Sequence, residues 1–425
     1  MKERVAIVDG VRTPFCKAMG VFRDLKADDL GAYAVREVIE RVPVAPDDYN
    51  EVILGNVMCP SHAYNVARVI AVKGGLPEHV PAISVSRNCA SGMESMVIAA
   101  QRIELGLGDT YLAGGVESMS HVPIEYNEKM RNWLFKMQRA KSMTQRLKLL
   151  AKFRPSFLSP VVPAIGDPIC GKTMGETAEI LSRDFHITRR EQDEYALNSQ
   201  KRSAKAAEEG YMAEEIHPIP NTKTGGMQEF DDGVRADQTF EQLQKLRPAF
   251  DKLTGTVTAG NSSQVTDGAC VLVLMKESKA KKLGITPLGY LTAYAYVGLD
   301  PARMGLGPAF ATSKVMSETG FALQDFDLIE INEAFAAQVL AVRAAMASER
   351  FCKEKLGRDE PIGEIDLEKL NINGGAIALG HPLGASGARI TLTLLKDLKR
   401  KGLHRGLATL CVGGGQGEAV VLEVE

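Results

Sequence analysis

The chain has 425 residues, 45% of them hydrophobic, so it can bury a large core and is long enough for two or three domains. A formal net charge of -2 excludes an overall electrostatic drive toward nucleic acid or acidic membranes, leaving only local charge clusters as guides to partners. Seven cysteines, an odd number with no C-x-x-C pair, speak against a disulfide framework or a zinc ribbon, fit a reducing compartment and leave free thiols for chemistry.

The first element is a strand, Val5-Ala6-Ile7-Val8, which leaves no room for a secretory leader. No apolar stretch is long enough to cross a bilayer, and the chain reads as cytoplasmic or as a processed mature form. Leu30, Ala34 and Val38 share one face of an amphipathic helix between Asp29 and Arg41. Short apolar runs follow at Val52-Ile53-Leu54 and Ala82-Ile83-Ser84-Val85, and the alternation of such runs with amphipathic segments is that of an α/β protein with buried sheets.

Cys89-Ala90-Ser91-Gly92 opens a helical stretch to Leu105, followed by the strand Tyr111-Leu112-Ala113 and then Gly114-Gly115. The second half echoes it. His381-Pro382-Leu383-Gly384-Ala385-Ser386-Gly387 opens a helix to about Lys399, followed by the strand Leu407 to Cys411 and then Gly413-Gly414-Gly415. In both copies a reactive side chain precedes a Ser-Gly helix start, where backbone N–H groups and the helix dipole favour negative charge. Two similar α/β halves facing one site are the expected organisation.

Between these copies, about 118–250 has a different character, with mixed helices and few strand runs, and reads as an inserted loop domain. Within it, Lys129 to Gly166 carries nine Lys or Arg, no Asp or Glu, and the only tryptophan, Trp133. Met130, Trp133, Met137, Ala140, Met143, Leu147 and Leu150 form one apolar helical stripe through that basic segment. Further on, Asn332-Glu333-Ala334-Phe335 ends the strand Leu328 to Ile331 and leads into Ala336-Ala337-Gln338-Val339; by pattern alone it is an ordinary Asn cap with a capping glutamate.

Cys89 follows a buried strand and precedes a helix, a setting that lowers a thiol pKa and exposes the sulfur, so it is the candidate nucleophile. A buried thiol acting as a small hydrophobe is the alternative. His381, between a glycine-rich turn and a helix start, is placed to take the Cys89 proton. Cys411 runs into a glycine turn that alone could be a phosphate cradle or a tight turn, but two cysteines and a histidine in matched positions suit covalent catalysis with a separate acid/base thiol and oxyanion donors.

Asn88-Cys89-Ala90-Ser91-Gly92, Gly255-Thr256-Val257-Thr258-Ala259-Gly260-Asn261-Ser262-Ser263, Asn332-Glu333-Ala334-Phe335, Gly380-His381-Pro382 and Cys411-Val412-Gly413-Gly414-Gly415 resemble the thiolase family in order and spacing, across essentially the whole chain. The resemblance implies a five-layered α/β/α/β/α thiolase fold. Its N-terminal half would occupy 1–285 with the insert at about 118–250, and its C-terminal half 286–425. The implied activity is that of a 3-ketoacyl-CoA thiolase (acetyl-CoA C-acyltransferase) of fatty-acid β-oxidation working by a ping-pong acyl-cysteine mechanism. Cys89, activated by His381, attacks the keto carbon, and Cys411 protonates the leaving acetyl-CoA enolate. Asn332, through a water and with His381, serves one oxyanion; the N–H groups of Cys89 and Gly413 serve the other. Ser263 matches a position that meets pantetheine, Met304 a pocket-lining methionine, and Phe335 lines the same tunnel. Neither a metal nor a bound cofactor is implied, CoA being a substrate, and the expected assembly is a homodimer or a dimer of dimers.

Within the family, 141–150 looks like the loop of β-subunits from the trifunctional fatty-acid oxidation complex. That likeness implies longer acyl chains, an α-subunit with hydratase and dehydrogenase activities, and peripheral membrane contact through Lys129 to Gly166. Basic residues backed by Trp, Leu and Met suit an interfacial helix, and a solvated face packed on an α-subunit is the alternative. Asn332, where that type often has His, and Gly384-Ala385-Ser386-Gly387-Ala388-Arg389 instead read like short-chain biosynthetic thiolases. The alternative function is therefore an acetoacetyl-CoA thiolase condensing two acetyl-CoA. A decarboxylating ketosynthase would pair its cysteine with two histidines and lack Cys411, and a silent scaffold would not need Cys89, His381 and Cys411.

Overall fold

In the computed structural model, the described residues are 3–161 and 166–425; positions 162–165, inside the basic segment 129–166, lie outside them. The main sheet has ten strands: β1 (Val5–Arg12), β2 (Cys16–Lys17), β3 (Glu51–Gly55), β4 (Ala82–Val85), β5 (Thr110–Glu117), β6 (Thr266–Lys276), β7 (Gly289–Gly298), β8 (Leu328–Ile331), β9 (Arg405–Val412) and β10 (Gln416–Glu423). Their order is β8-β9-β10-β7-β1-β6-β5-β3-β4, with β2 at one end of β6. β3 runs parallel to β4 and β5, and β8 parallel to β9, whereas the joints around β1 are antiparallel. β1 and β7 pair only through Val5–Ile7 and Gly289–Leu291, so one path of strands folds into two facing halves.

The layering follows from the two-residue period of the strands. Along β6, Ala269, Val271, Val273 and Met275 pack outward on α1 (Ala27–Arg41) and α2 (Val66–Lys73). The alternate residues Cys270, Leu272 and Leu274 pack inward on α3 (Ser91–Glu104). In the second half, Val420 and Leu422 of β10 join that same inner core, while Ala419 and Val421 face away from it. Because both faces of each half are buried, the strands read as near-continuous apolar runs, and helices form three layers around two sheet layers.

The insert supplies α4 (Glu128–Arg139), α5 (Met143–Leu150), α6 (Met174–Asp184) and α7 (Arg189–Glu208). The second half adds α8 (Gly307–Thr319), α9 (Ala336–Ala347) and α10 (Leu383–Lys401). α8 and α9 cover the far face through Ala311, Val315, Val339 and Val342. α3 and α10 lie side by side in the middle layer, their first turns crossing where side chains are absent. A Cβ on Gly92 would stand 2.6 Å from the Gly384 carbonyl oxygen, and one on Gly387 2.6 Å from the Met93 nitrogen.

Two local expectations are corrected. The single apolar stripe of the basic segment is two helices, broken after Arg139 and restarted by Ser142, whose Oγ accepts the Gln145 N–H. The break lets Trp133 fold inward: its Nε1–H donates to the Leu149 carbonyl at 2.8 Å and its ring meets Phe153 edge-on at 5.2 Å. Gly114-Gly115 do not follow their strand but continue it, paired with Val271 and Cys270 of β6. A side chain on Gly115 would run into the Gly384 carbonyl, so these glycines admit the α10 start rather than turn the chain.

Candidate active site

Cys89 lies in the turn between β4 and α3, four residues beyond Val85 and two before the helix. The turn is held by its own polar atoms: the Arg87 N–H donates to Ser91 Oγ at 2.9 Å, and that hydroxyl donates to the Asn88 carbonyl at 2.6 Å. Asn88 takes φ +45°, a conformation Asn tolerates better than most residues, and its Nδ2–H donates to the Gly413 carbonyl at 2.8 Å. Arg87 adds an ion pair to Glu94 at 2.9 Å and stacks over Tyr296 at 4.2 Å. The nucleophile turn of one half is thereby tied to the glycine turn of the other.

The expectation of a lowered Cys89 pKa is overturned. Burial pushes the thiol up to about 11, a rise that the N–H groups of Gly413 and Cys89 itself only partly offset. The Cys411 thiol is buried and raised further, with the neighbouring Cys89 contributing through like-charge repulsion. Both sulfurs are therefore resting thiols, and a proton acceptor has to create the nucleophile.

His381 has the right state for that task. Its Nδ1 is 2.6 Å from Ser386 Oγ, and the single Ser386 hydroxyl proton is taken by the Pro382 carbonyl at 3.0 Å. With that proton on Pro382, Ser386 accepts from Nδ1–H and the lone pair stands on Nε2, the tautomer that the approaching Asn332 Nδ2 also suits. Burial, followed by the Arg389 charge, depresses the imidazole to about 3, so it is neutral at any ordinary pH. Asn332 Nδ2 approaches Nε2 at 3.4 Å, the edge of hydrogen-bond distance, while its Oδ1 is buried with no partner among the described residues. Asn332 is not a helix cap: α9 has Phe335 as its N-cap and no side-chain cap bond. Glu333 is instead bound by Tyr195, Ser199 and Asn371.

Around Cys411, Met304 and Phe335 pack with Ala178, Val257, Ala334 and Ala337, flanked by Met174, into one apolar group. Phe250 meets Phe335 edge-on at 6.0 Å. Ser263 donates its N–H to the Ala334 carbonyl at 2.9 Å, beside the Phe335 turn. The structure thus brings Cys89, Cys411 and Gly413 together and pairs His381 with Asn332 just before the helix that crosses the one after Cys89, with Met304 and Phe335 packed around Cys411 and Ser263 bonded beside Phe335.

Sequence reasoning missed several parts of this construction. Asp167, from the insert, is buried and accepts the Gly414 N–H at 2.9 Å, which fixes the peptide next to Gly413. Met174 and Phe250 belong to the apolar wall, and Ser386 sets the tautomer. Ser386 was within reach of pattern reasoning, lying five residues after His381, in the first turns of the helix that His381 precedes. Asp167, Met174 and Phe250 are brought in only by the folding of the insert. Among the described residues there is no group of three His, Cys, Asp or Glu side chains that could hold a metal ion.

Two family models match the chain, "Thiolase, N-terminal domain" over residues 5–278 and "Thiolase, C-terminal domain" over 285–424. A 3-ketoacyl-CoA thiolase of Yersinia enterocolitica serotype O:8 is 41% identical over 424 residues, covering 100% of this chain and 97% of the relative. Among solved structures, a Bacillus anthracis acetyl-CoA acetyltransferase is 39% identical with TM-score 0.84, covering 99% of both chains. Human mitochondrial 3-ketoacyl-CoA thiolase in complex with CoA is 37% identical with TM-score 0.83, covering 100% of this chain and 98% of the other.

Proposed function

From the premise that the chain belongs to the thiolase family, we propose that it is a 3-ketoacyl-CoA thiolase, cleaving 3-ketoacyl-CoA with CoA to acetyl-CoA and a shortened acyl-CoA. His381 Nε2 takes the Cys89 proton as the sulfur attacks the keto carbon. The bond between that carbon and C2 breaks, leaving the acyl group on Cys89 and an acetyl-CoA enolate. Cys411 gives its proton to the enolate carbon, and acetyl-CoA leaves. The thiol of a second CoA loses its proton to the resulting Cys411 thiolate and attacks the acyl-Cys89 thioester. The shortened acyl-CoA departs as Cys89 takes back the proton from His381, and both cysteines end as thiols.

The observation that carries this reading is a pair of neighbouring thiols, one from each half, together with a buried neutral imidazole at the start of the helix that crosses the one after Cys89. Two neutral thiols suit the chemistry, since one is deprotonated for attack while the other must hold a proton to deliver. The N–H groups of Cys89 and Gly413 already lower the Cys89 thiol, and the same donors would stabilise a developing oxyanion. Asn332 Oδ1, buried and unpaired, can accept from a water that serves the second oxyanion with His381.

Thiolysis across 3-ketoacyl-CoA substrates from acetoacetyl-CoA to long chains tests the assignment. Efficiency rising with chain length supports it. Activity confined to acetoacetyl-CoA would instead establish the biosynthetic condensation of two acetyl-CoA, which the likeness to an acetyl-CoA acetyltransferase keeps in play.

The hairpin of α4 and α5 fits a lipid surface: Phe135, Met143 and Leu147 are 51%, 70% and 58% exposed among the basic residues, although Trp133 is turned inward. Flotation with anionic vesicles checks this, and a protein that stays with the soluble fraction refutes it. A second copy, paired along the edge strand β4 with its exposed Ile83, fits the homodimer, which sedimentation measures.

A further inference from the structure

Glu117 ends β5 with its side chain fully buried, and among the described residues it makes no ion pair. Four N–H donors surround its carboxylate instead. Oε1 accepts from Asn56 Nδ2 at 3.0 Å and from the Met58 N–H at 2.9 Å; Oε2 accepts from the Val57 N–H at 3.1 Å and the Gly384 N–H at 2.9 Å. Three of these donors belong to the loop after β3. The fourth lies in the first turn of α10, where the N-cap residue Pro382 has no side chain able to accept it. A carboxylate at that place meets the positive end of a nineteen-residue helix.

His381 immediately precedes Pro382, and its ring hangs on Ser386, one turn into the same helix. Whatever sets the first turn of α10 therefore sets the direction of Nε2. We propose that Glu117 is a positioning residue for the thiolase reaction, capping α10 from the opposite half of the molecule and so holding the His381 lone pair on the Cys89 thiol. The inference rests on the function assigned above.

Two features favour this over a role in stability alone. The carboxylate opposes ionisation of Cys89, so its charge is a cost to the nucleophile beside it. Burial also pushes Glu117 up to about 7, a strain that a neutral side chain would avoid. Only a carboxylate presents two acceptor oxygens to the loop and the helix start at once. A glutamine would turn its NH2 toward one donor pair, leaving either Met58 N–H or Gly384 N–H facing another donor.

The test compares wild type, E117Q, S386A and the double variant in steady-state thiolysis and in single-turnover acylation of Cys89. E117Q should lower kcat and the acylation rate about 10-fold to 100-fold with KM changed by less than about three-fold. Because both residues act through the His381 ring, the double variant should be within about two-fold of the slower single variant. An E117Q with kcat within about two-fold of wild type, or a double variant whose losses multiply, overturns the role. If E117Q does not fold, E117D keeps the charge but moves it by one methylene; a loss of at least about five-fold in kcat is then expected, and none overturns the proposal. A wild type that cleaves no 3-ketoacyl-CoA overturns the assigned reaction and this inference with it, whereas turnover in wild type and E117Q alike overturns only the role of Glu117.

Discussion

In the N-terminal half, Gly114 and Gly115 stay inside β5; in the C-terminal half, Gly413, Gly414 and Gly415 leave β9 and reverse the chain into β10. The glycines are needed for unlike reasons. At Gly115 any side chain meets the Gly384 carbonyl, so its absence lets the middle-layer helices cross. Gly414 and Gly415 take φ of +88° and +76°, which a side chain would strain, and the reversal presents Gly413 N–H to Cys89. The duplicated pattern thus builds matching scaffolds that do different work. In the proposed reaction one copy places a nucleophile before its helix, and the other a base before its helix, an acid at its strand end and a donor in its turn.

The contrast is tested most severely at the two cysteines. Cys89→Ala should reduce thiolysis by about 10⁴-fold or more while the melting temperature is kept; retention of even about a tenth of wild-type activity would sink the assignment. Cys411→Ala should lose carbon–carbon cleavage by about 10³-fold and abolish exchange of the acetyl α-protons, while acylation of Cys89 continues slowly. Normal α-proton exchange in that variant would move the acid role elsewhere.

The glycines give the next largest effect and separate scaffold from chemistry. Gly115→Ala should destabilise the fold by about 2–4 kcal/mol, since a backbone carbonyl must move, and calorimetry or urea unfolding reads this directly. Gly413→Ala should leave stability within about 1 kcal/mol, because its Cβ would meet only Met174 Sδ at 3.5 Å and Asn88 Nδ2 at 3.8 Å. Its kcat should nevertheless fall, as the methyl group intrudes between the nucleophile turn and the apolar wall. Equal losses of stability in the two variants would erase the distinction drawn here.

The smallest expected effect is that His381 adds no titration of its own, leaving Glu117, near 7, as the group whose protonation slows acylation as pH falls. His381, held near 3, remains the neutral base from about pH 4 upward, and Cys89, near 11, remains a thiol into alkaline solution. The logarithm of the acylation rate should therefore show no break near 6.5 from His381; a break that moves on Ser386→Ala would contradict the assigned state. Stability carries the opposite signature. The folded imidazole lies below its ordinary value of 6.5, so its contribution is complete above 6.5 and is lost as pH falls toward 3, where only the unfolded chain gains the proton.

Much of this was legible in order along the chain. The strand Leu328–Ile331 has the bounds its apolar run suggests, and α3 begins at its Ser-Gly segment, whereas α10 begins at Leu383, three residues before Ser386. Periodicity reports such elements well because burial on one or both faces is a local demand. It failed at the basic hairpin, where a stripe at helical spacing was cut by the Ser142 cap and the folding back of Trp133. It failed also for the Cys89 thiol, which stays half-exposed as its setting suggests but is raised by a desolvation that the sequence does not show.

The sequence by itself determined the α/β alternation, the echo between the halves, and the identity of the side chains able to react: two free thiols, an imidazole and an amide in recognisable settings. Only the tertiary structure decided their states and their neighbours. Ser386 assigns the His381 tautomer; Asp167 and Glu117 reach across 247 and 267 positions of chain to hold Gly414 and Gly384. The physical reason is that a residue type sets which proton or bond is available, whereas desolvation, hydrogen-bond direction and long-range capping depend on what packs against it in space.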